Sequence, residues 1–323
     1  MIDLQELQDS ADVVSIPLRT RFRGVDHREA MILRGPKGDA EFAPFLEYDA
    51  AESARWLAAA IEAGWGSWPS PVRASIPVNA TVPAVDASEV EGILARYDGC
   101  TTAKVKVAER GQSLDDDVAR VAEVRSLLGP TGKIRVDANG GWPLDDAVWA
   151  LTALSGFELE YAEQPCATVE ELASLRIALV NNGVDLRVAA DESIRKATDP
   201  LLVARLGAAD IAVVKVAPLG GVQAALDIAL EAGLPTVVSS ALDTSVGIAA
   251  GVALAAALPS LEFACGLGTV ELLSTDVTSS PLVPQSGAID VRRPVADRLS
   301  SVRALPERES WWRERLAAAY AEL

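Results

Sequence analysis

Histidine, cysteine and basic residues are scarce in this sequence, and each shortage excludes or disfavours a class of function. His27 is the only histidine among 323 residues, so a Ser-His-Asp triad or a zinc site built from several histidines is nearly excluded. The 29 lysines and arginines are outnumbered by 46 aspartates and glutamates, which gives a formal net charge of −17. Because a surface this acidic repels phosphate backbones, we expect no nucleic-acid partner.

Membrane segments and disulfides are not indicated either. The longest apolar run, residues 246–258, has about thirteen residues, whereas a membrane-spanning helix needs about twenty. The first residues, MIDLQELQDSADVV, carry acids and no apolar core, so we expect no secretory signal. Cys100, Cys166 and Cys265 are scattered without metal-binding or redox spacing. We therefore expect a cytoplasmic protein with no membrane partner, whose oligomeric state the sequence does not indicate.

Eight short β-branched runs alternate with helix-patterned stretches from about residue 73 onward. They begin at intervals of roughly 25 to 32 residues, which is the spacing that a (β/α)₈-type barrel requires. The runs are continuously apolar rather than alternating, as expected for strands buried on both faces. The predicted strands are residues 73–79, 102–108, 134–137, 159–163, 186–191, 211–216, 236–240 and 263–265.

The two ends of the chain have a different pattern. Residues 13–22, 30–34 and 39–42 predict a three-stranded meander, and residues 51–63 predict a helix. No barrel strand follows residue 285, so we expect this last segment to pack with the amino-terminal one and to bury at least one of Trp311 and Trp312. The sequence thus predicts an α+β capping domain, residues 1–72 plus 286–323, on a catalytic barrel domain of residues 73–285.

Polar residues end successive predicted strands, at the edge where a barrel of this kind carries its active site. Asp137, Glu163 and Asp191 end three consecutive strands, and Asn139 and Glu192 follow two of them. Charged groups at the ends of buried strands are costly unless they are paired or bind a metal ion. Since carboxylates are the ligands that hard cations prefer, we predict one Mg²⁺ on the three strand-ending carboxylates.

Lysines flank these carboxylates on the neighbouring strands. Lys104 and Lys106 lie on the strand before them and face the same side, while Lys215 ends the strand after them. A bound cation can neutralise a substrate carboxylate, and a lysine whose pKa is lowered by that cation and by a second lysine can act as a base. The predicted reaction is therefore removal of the proton next to a carboxylate in a small-molecule substrate.

Each of these features has a plain structural explanation when it is taken alone. The lysines could be solvated strand ends, Asp137 with Asn139 could form a turn and a helix cap, and Asp191 could cap a helix. Glu163 could be a loop charge. All of these explanations would have to hold together at matching barrel positions, and that coincidence favours a functional site.

The same residues carry a family resemblance. K-x-K at 104–106, D-x-N at 137–139, E-Q-P at 163–165, D-E-S at 191–193 and the lysine at 215 resemble the enolase superfamily in its muconate-lactonizing subgroup. The resemblance covers most of the chain. It implies a modified TIM-type (β/α)₇β barrel under an α+β capping domain.

Five further stretches resemble the o-succinylbenzoate synthase family of the compact actinobacterial type: residues 16–24, 38–48, 77–85, 239–251 and 264–277. This resemblance implies a carbon–oxygen lyase of menaquinone biosynthesis. Its reaction is the Mg²⁺-dependent syn dehydration of 2-succinyl-6-hydroxy-2,4-cyclohexadiene-1-carboxylate to 2-succinylbenzoate, through a metal-stabilised enediolate. It also implies that the loop of residues 21–24 closes over the site and excludes water.

The resemblance assigns roles residue by residue. Lys106 would remove the proton and return one to the departing hydroxide, and Lys215 would stabilise the planar anion from the opposite face. Lys104 would support the site electrostatically, while Asn139 and Glu192 would support the metal ligands. The residues expected to contact the substrate are Lys104, Arg23, Ser239, Ser240, Gly266 and Gly268.

Other functions use the same apparatus. An N-succinylamino acid racemase needs a lysine on each face, so Lys106 and Lys215 alone do not separate racemisation from dehydration. A dipeptide epimerase is less expected, because no acidic residue follows Cys265 until Glu271. A catalytically inactive metal-binding or interaction protein on this fold is a third possibility, which the intact set of lysines and carboxylates disfavours.

Overall fold

The structure, a computed structural model, describes residues 2–22 and 24–323. The amino-terminal part is a three-stranded antiparallel meander followed by a helix, as the sequence pattern predicted, and preceded by a short helix that it did not predict. The side chain of Asp49 starts the second helix by accepting a hydrogen bond of 2.8 Å from the Glu52 backbone N–H. The elements are α1 (Leu4–Asp9), β1 (Ala11–Phe22), β2 (Val25–Gly35), β3 (Gly38–Phe42) and α2 (Ala50–Trp65).

A seven-stranded parallel sheet forms the wall of the barrel, preceded by one short strand outside it. The outside strand is β4 (Ser75–Pro77), which pairs antiparallel with β12 (Ala288–Asp290). The barrel strands are β5 (Ala80–Val82), β6 (Thr102–Lys106), β7 (Lys133–Asp137), β8 (Leu159–Glu163), β9 (Val188–Ala190), β10 (Ile211–Val214) and β11 (Thr236–Val238).

Helices cover the outside of the sheet and return the chain between strands. They are α3 (Val90–Leu94), α4 (Leu114–Leu128), α5 (Leu144–Leu154), α6 (Val169–Asn181), α7 (Glu192–Arg195), α8 (Leu202–Arg205), α9 (Val216–Leu219), α10 (Val222–Ala232) and α11 (Ser245–Ala257). The last helix, α12 (Pro306–Tyr320), lies on the cap instead. No helix among the described residues is both long enough and apolar enough to cross a bilayer.

The barrel differs from the prediction at its first and last strands. The predicted strand 73–79 contains β4, which exposes alternate residues and lies outside the parallel sheet, whereas the first barrel strand, β5, begins just after the predicted range and is buried throughout. The predicted strand 263–265 is present only as isolated pairings. Cys265 pairs with Val78, and Gly266 pairs with Ser239. These pairings place residues 265–266 between the first and last barrel strands and close the barrel.

The carboxy-terminal helix packs against the amino-terminal meander, as predicted. Trp312 of α12 is fully buried, and its ring meets that of Phe42 edge-on with centroids 5.9 Å apart. The Trp312 indole N–H donates a hydrogen bond of 2.9 Å to Glu29 of β2. The far end of the chain thus completes the core of the cap, while the division at residues 72/73 and 285/286 stays a prediction.

Candidate active site

The predicted strand-end side chains converge at one end of the barrel. In the sheet register Lys106 pairs with Asp137, and Asp137 pairs with Glu163. Asp191 and Lys215 directly follow β9 and β10. The three carboxylates are almost fully buried, with 1%, 1% and 0% of the surface of Asp137, Glu163 and Asp191 exposed. Consecutive parallel strands therefore bring these groups together, as their spacing in the sequence indicated.

Each of the three carboxylates is paired with a lysine. Lys104 Nζ lies 2.8 and 2.9 Å from the two Glu163 oxygens and 3.1 Å from Asp137 Oδ2. Lys106 Nζ lies 2.6 Å from Asp137 Oδ2, and Lys215 Nζ donates to Asp191 Oδ2. The buried charges are thus compensated by ion pairs, which is the condition under which charges persist in a low-dielectric interior.

The predicted metal ligands are not arranged as a coordination sphere in this structure. Within residues 2–22 and 24–323, no three His, Cys, Asp or Glu side chains are placed so that they could hold a metal ion. The lysine ammonium groups are hydrogen-bonded to oxygens of Asp137, Glu163 and Asp191. An ion could reach those oxygens only after the ammonium groups had moved away.

The donor chemistry of the cluster nevertheless fits a hard divalent cation. Burial, the nearby charge of Asp137 and the weaker effect of Asp191 together raise the pKa of Glu163 to about 7, although Lys104 opposes the shift. The pKa values of Asp137 and Asp191 lie far below their usual range, because neighbouring lysines outweigh the effect of burial. Three mutually repelling carboxylates offer the oxygen ligands that such a cation takes, and a cation would relieve their repulsion.

Lys104 and Lys215 have opposite shifts. Burial would lower the pKa of Lys104, but Glu163 and Asp137 raise it well above its usual value. Burial lowers the pKa of Lys215 despite its pairing with Asp191, and the positive charge of Arg195 lowers it further. Lys104 therefore stays protonated, whereas the protonated form of Lys215 is less strongly stabilised by its surroundings.

Two residues that the sequence analysis missed hold Asp191 in place. Arg195 Nε donates to Asp191 Oδ1 at 3.2 Å, and Arg195 Nη1 donates to the Tyr48 hydroxyl at 2.8 Å. Gln164 Oε1 accepts hydrogen bonds from the backbone N–H groups of Asp191 and Ser193 at 2.9 and 3.2 Å. The i,i+4 spacing of Asp191 and Arg195 was a signal for the first contact. Gln164 acts between strands, and its one signal was its place in the E-Q-P motif, where the sequence analysis gave it no role.

Asn139 and Glu192 lie beside the cluster, as predicted. Asn139 Oδ1 accepts from Lys106 Nζ at 2.7 Å, and Asn139 Nδ2 donates to Glu192 Oε1 at 3.3 Å. Glu192 Oε1 also accepts from Arg195 at 2.5 Å, while its other oxygen is buried without a hydrogen-bond partner. Asn139 therefore links the Lys106 side of the cluster to the Asp191 side.

A small inner chamber lies above the lysines. Its lining residues are Phe22, Thr81, Lys104, Lys106, Asp137, Asn139, Lys215, Ser239, Ser240, Ala241, Leu242, Gly266 and Thr269. Ser239, Ser240 and Gly266 are thus in the predicted place. Gly268 is not among the lining residues, and a Cβ atom at its position would lie 3.0 Å from the Asn79 carbonyl oxygen, whereas the neighbouring Thr269 does line the chamber.

The cap closes this chamber through Phe22, at the end of β1. The Phe22 ring centroid lies 5.4 Å from Lys106 Nζ, and the ring packs on Leu242 and Leu272. Phe22 and Lys106 also line an outer recess together with Arg21, Gly24, Ala84, Glu109 and Asn139. Phe22 therefore separates the inner chamber from the outer recess. Arg23, predicted to contact the substrate, lies outside the described residues.

Another two carboxyl groups, one buried and one half-buried, lie where the cap meets the barrel. Glu41 belongs to β3, and Asp243 belongs to the turn after β11. Burial, and then the charge of Asp243, raise the pKa of Glu41 to about 8, although Arg28 and hydrogen bonds from Thr244 oppose the shift. The pKa of Asp243 is also raised, chiefly by burial. At neutral pH this pair therefore retains a proton.

This pair makes the stability of the fold depend on pH. Because the folded pKa of Glu41 exceeds its usual value of 4.5, the folded state keeps a proton that the unfolded chain loses between about pH 4.5 and 8. Wild type should lose roughly 2–4 kcal/mol of stability relative to Glu41→Gln as the pH rises from 5 to 8.5. Urea unfolding of both proteins across this range measures the difference, and parallel stability profiles would contradict the assignment.

Comparisons with known proteins agree with this architecture. The family model described as "Enolase C-terminal domain-like" matches residues 87–294, and "Enolase N-terminal domain-like" matches residues 13–64. Among solved structures, muconate lactonizing enzyme from Pseudomonas putida superposes with a TM-score of 0.73 at 20% identity, over 91% of this chain and 98% of that one. At that level of identity the likeness shows the fold alone.

Sequence relatives are much closer. The o-succinylbenzoate synthase of Thermobifida fusca (strain YX) is 58% identical over 309 residues, which is 95% of this chain and 95% of that protein. The o-succinylbenzoate synthase of Mycolicibacterium smegmatis is 54% identical, over 98% of this chain and 97% of the relative. Enolase-superfamily enzymes generally use a divalent metal ion, in keeping with the carboxylate cluster. This chain is an enzyme that belongs to the o-succinylbenzoate synthase family of the enolase superfamily.

Proposed function

We propose that this enzyme dehydrates 2-succinyl-6-hydroxy-2,4-cyclohexadiene-1-carboxylate to 2-succinylbenzoate. The proposal depends on one observation above all, which is that Lys106 and Lys215 line the same chamber, beside Asp137. Relatives that bear the name o-succinylbenzoate synthase, at 53–58% identity over nearly the full chain, support the choice of substrate. The scattered free cysteines support a cytoplasmic location.

Asp137, Glu163 and Asp191 are the residues proposed to hold Mg²⁺. All three offer carboxylate oxygens from consecutive strands, and their mutual repulsion favours a cation between them. When bound, the ion would supply positive charge for the extra negative charge that a substrate carboxylate gains when the neighbouring carbon loses its proton. Lys104, Lys106 and Lys215 would then exchange their carboxylate partners for contacts with the substrate.

Lys106 is the proposed base. Its amine takes the proton from the carbon next to the substrate carboxylate, and it returns a proton to the hydroxide that leaves from the same face, so that one C–H and one C–O bond break and water forms. Lys215 faces the substrate from the other side and stabilises the planar anion by its positive charge. Phe22 keeps bulk water away from Lys106.

N-succinylamino acid racemisation would use the same two lysines, since it needs a proton donor or acceptor on each face. The relatives in the 53–58% range favour dehydration, because their printed name is that of the synthase. Racemisation is therefore the alternative function, and a dehydration assay distinguishes it from the proposed one.

The direct test is dehydration of the cyclohexadiene substrate, followed by the ultraviolet absorbance of the aromatic product. We expect turnover with Mg²⁺, loss of at least about a hundredfold in excess EDTA, and recovery when Mg²⁺ is restored. No turnover with Mg²⁺ present would contradict the proposed substrate. Exchange of the α-proton of an N-succinylamino acid in D₂O would then identify the racemase alternative.

A further inference from the structure

The turn that follows β11 contains a strained residue next to the active site. Leu242 has a φ of +64°, in the left-handed region that branched side chains rarely adopt. Its side chain is only 1% exposed and packs against Phe22 and Leu272. It also lines the inner chamber together with Lys106 and Lys215. Surrounding contacts must therefore hold this turn in place.

Two side chains of the cap provide those contacts. Arg28 of β2 donates a hydrogen bond of 3.0 Å from Nε to the Leu242 carbonyl, and it also donates to the Ala43 carbonyl. Glu41 Oε2 accepts from the backbone N–H groups of Thr244 at 3.0 Å and Gly247 at 3.3 Å. The cap thus holds the strained turn at the carbonyl of Leu242 and at the start of α11.

The packing around Glu41 leaves little room for another arrangement. A Cβ atom on Gly247 would lie 2.7 Å from the Asp243 Cβ and 2.9 Å from the Glu41 Cδ, so the first turn of α11 lies directly against the Glu41 carboxyl group and the Asp243 side chain. Thr244 also donates its hydroxyl to Glu41 Oε2. The position of the turn is thus coupled to the position of β3 in the cap.

We propose that Arg28 and Glu41 are positioning residues for catalysis. They hold Leu242 in its left-handed conformation, so that Leu242 and Phe22 together form the apolar wall beside Lys106. The barrel alone does not complete this wall, because both the strained turn and its apolar partner depend on the docked cap. The inference rests on the proposed dehydration only for its activity assay.

Glutamine should replace Glu41 well, whereas alanine should not. The carboxyl group retains a proton at neutral pH, so the side-chain amide of Gln matches it in charge and in its ability to accept the hydrogen bonds of Thr244 and Gly247. Alanine removes the acceptor and leaves the start of α11 unsupported. The difference between these two variants separates loss of the contact from loss of the ionisable group.

The test is a double-mutant cycle between Glu41→Ala and Leu242→Asn, because asparagine adopts the left-handed conformation with little strain. We expect Glu41→Ala to lower kcat by about tenfold or more, with KM changed by less than about threefold. In the Leu242→Asn background, Glu41→Ala should lower kcat by less than about threefold. Glu41→Gln should retain kcat to within about threefold at pH 7.

Asp39→Asn is the matched control. Asp39 lies on the same strand, but its carboxylate accepts a backbone hydrogen bond of 2.7 Å from Ala296 rather than from the Leu242 turn or the start of α11. It should leave kcat unchanged. The inference would be overturned if Glu41→Ala lowered kcat by the same factor in both backgrounds, or if Asp39→Asn lowered kcat as much as Glu41→Ala does.

Denaturant unfolding of the same four cycle proteins provides a readout that needs no substrate. If Glu41 holds the turn, the shift in unfolding midpoint of the double variant should differ from the sum of the shifts of the two single variants. Additive shifts would overturn that part of the inference. If wild type did not dehydrate the substrate, the proposed function would fail while this coupling remained measurable.

Discussion

Lys106→Ala is expected to lower kcat for dehydration by about a thousandfold or more, because it removes the proposed base. The fold should survive, since Asp137 keeps its 3.1 Å ion pair with Lys104 after the Lys106 ammonium is removed. Stopped-flow or steady-state absorbance with saturating Mg²⁺ measures the loss. Circular dichroism and the urea midpoint check that the variant is folded.

The control for this variant is Lys133→Ala. Lys133 is an exposed lysine at the opposite end of the neighbouring strand, β7. Its replacement should leave activity and metal affinity within about twofold of wild type, as is usual for surface changes. If Lys106→Ala kept more than about a tenth of the wild-type rate, Lys106 would not be the base, and Lys215 would become the first candidate.

Glu163→Gln should weaken divalent-metal binding and catalysis together, each by about a hundredfold or more. The amide keeps the size of the side chain and can still accept a hydrogen bond from Lys104, so the barrel should fold. It removes one of the three negative charges proposed to hold the ion. Titration calorimetry with Mg²⁺ and with Mn²⁺ measures the affinity, and the ultraviolet assay measures the rate.

Glu170→Gln on α6 is the control for the change of charge, because Glu170 is exposed on the outside of the barrel. We expect wild-type affinity and rate from this protein. Wild-type metal affinity in Glu163→Gln would remove Glu163 from the ligand set. Weakened affinity with an unchanged rate would show that the ion is not needed for the chemistry.

The barrel strands were predictable because their signal is local. From β6 to β11, each buried parallel strand is a short, mainly apolar run that ends at or directly before a polar residue, and β8 coincides with the predicted residues 159–163. The end of each strand then located Asp137, Glu163 and Asp191. Their meeting in space followed from the rule that the carboxyl ends of parallel barrel strands share one edge.

The remaining features depend on contacts that no local pattern encodes. The pairing of Lys104 with Glu163, rather than with Asp137 alone, depends on the reach of a side chain across two strands. The departure of β4 from the barrel depends on β12, more than two hundred residues later in the chain. The positive φ of Leu242 is imposed by the cap, since nothing in its own side chain favours that conformation.

The closure of the barrel at residues 265–266 has a mechanical consequence. This seam is held by two backbone hydrogen bonds on the side of β4 and two on the side of β11, whereas β6 and β7 pair along five residues. Thermal opening should therefore occur more readily at the seam than between β6 and β7, and the amides of the seam should exchange with solvent faster than those of these two strands. Because Gly266 lies in the seam and lines the chamber, we expect the chamber wall at Gly266 to adapt more readily to a ligand than the wall formed by β6 and β7.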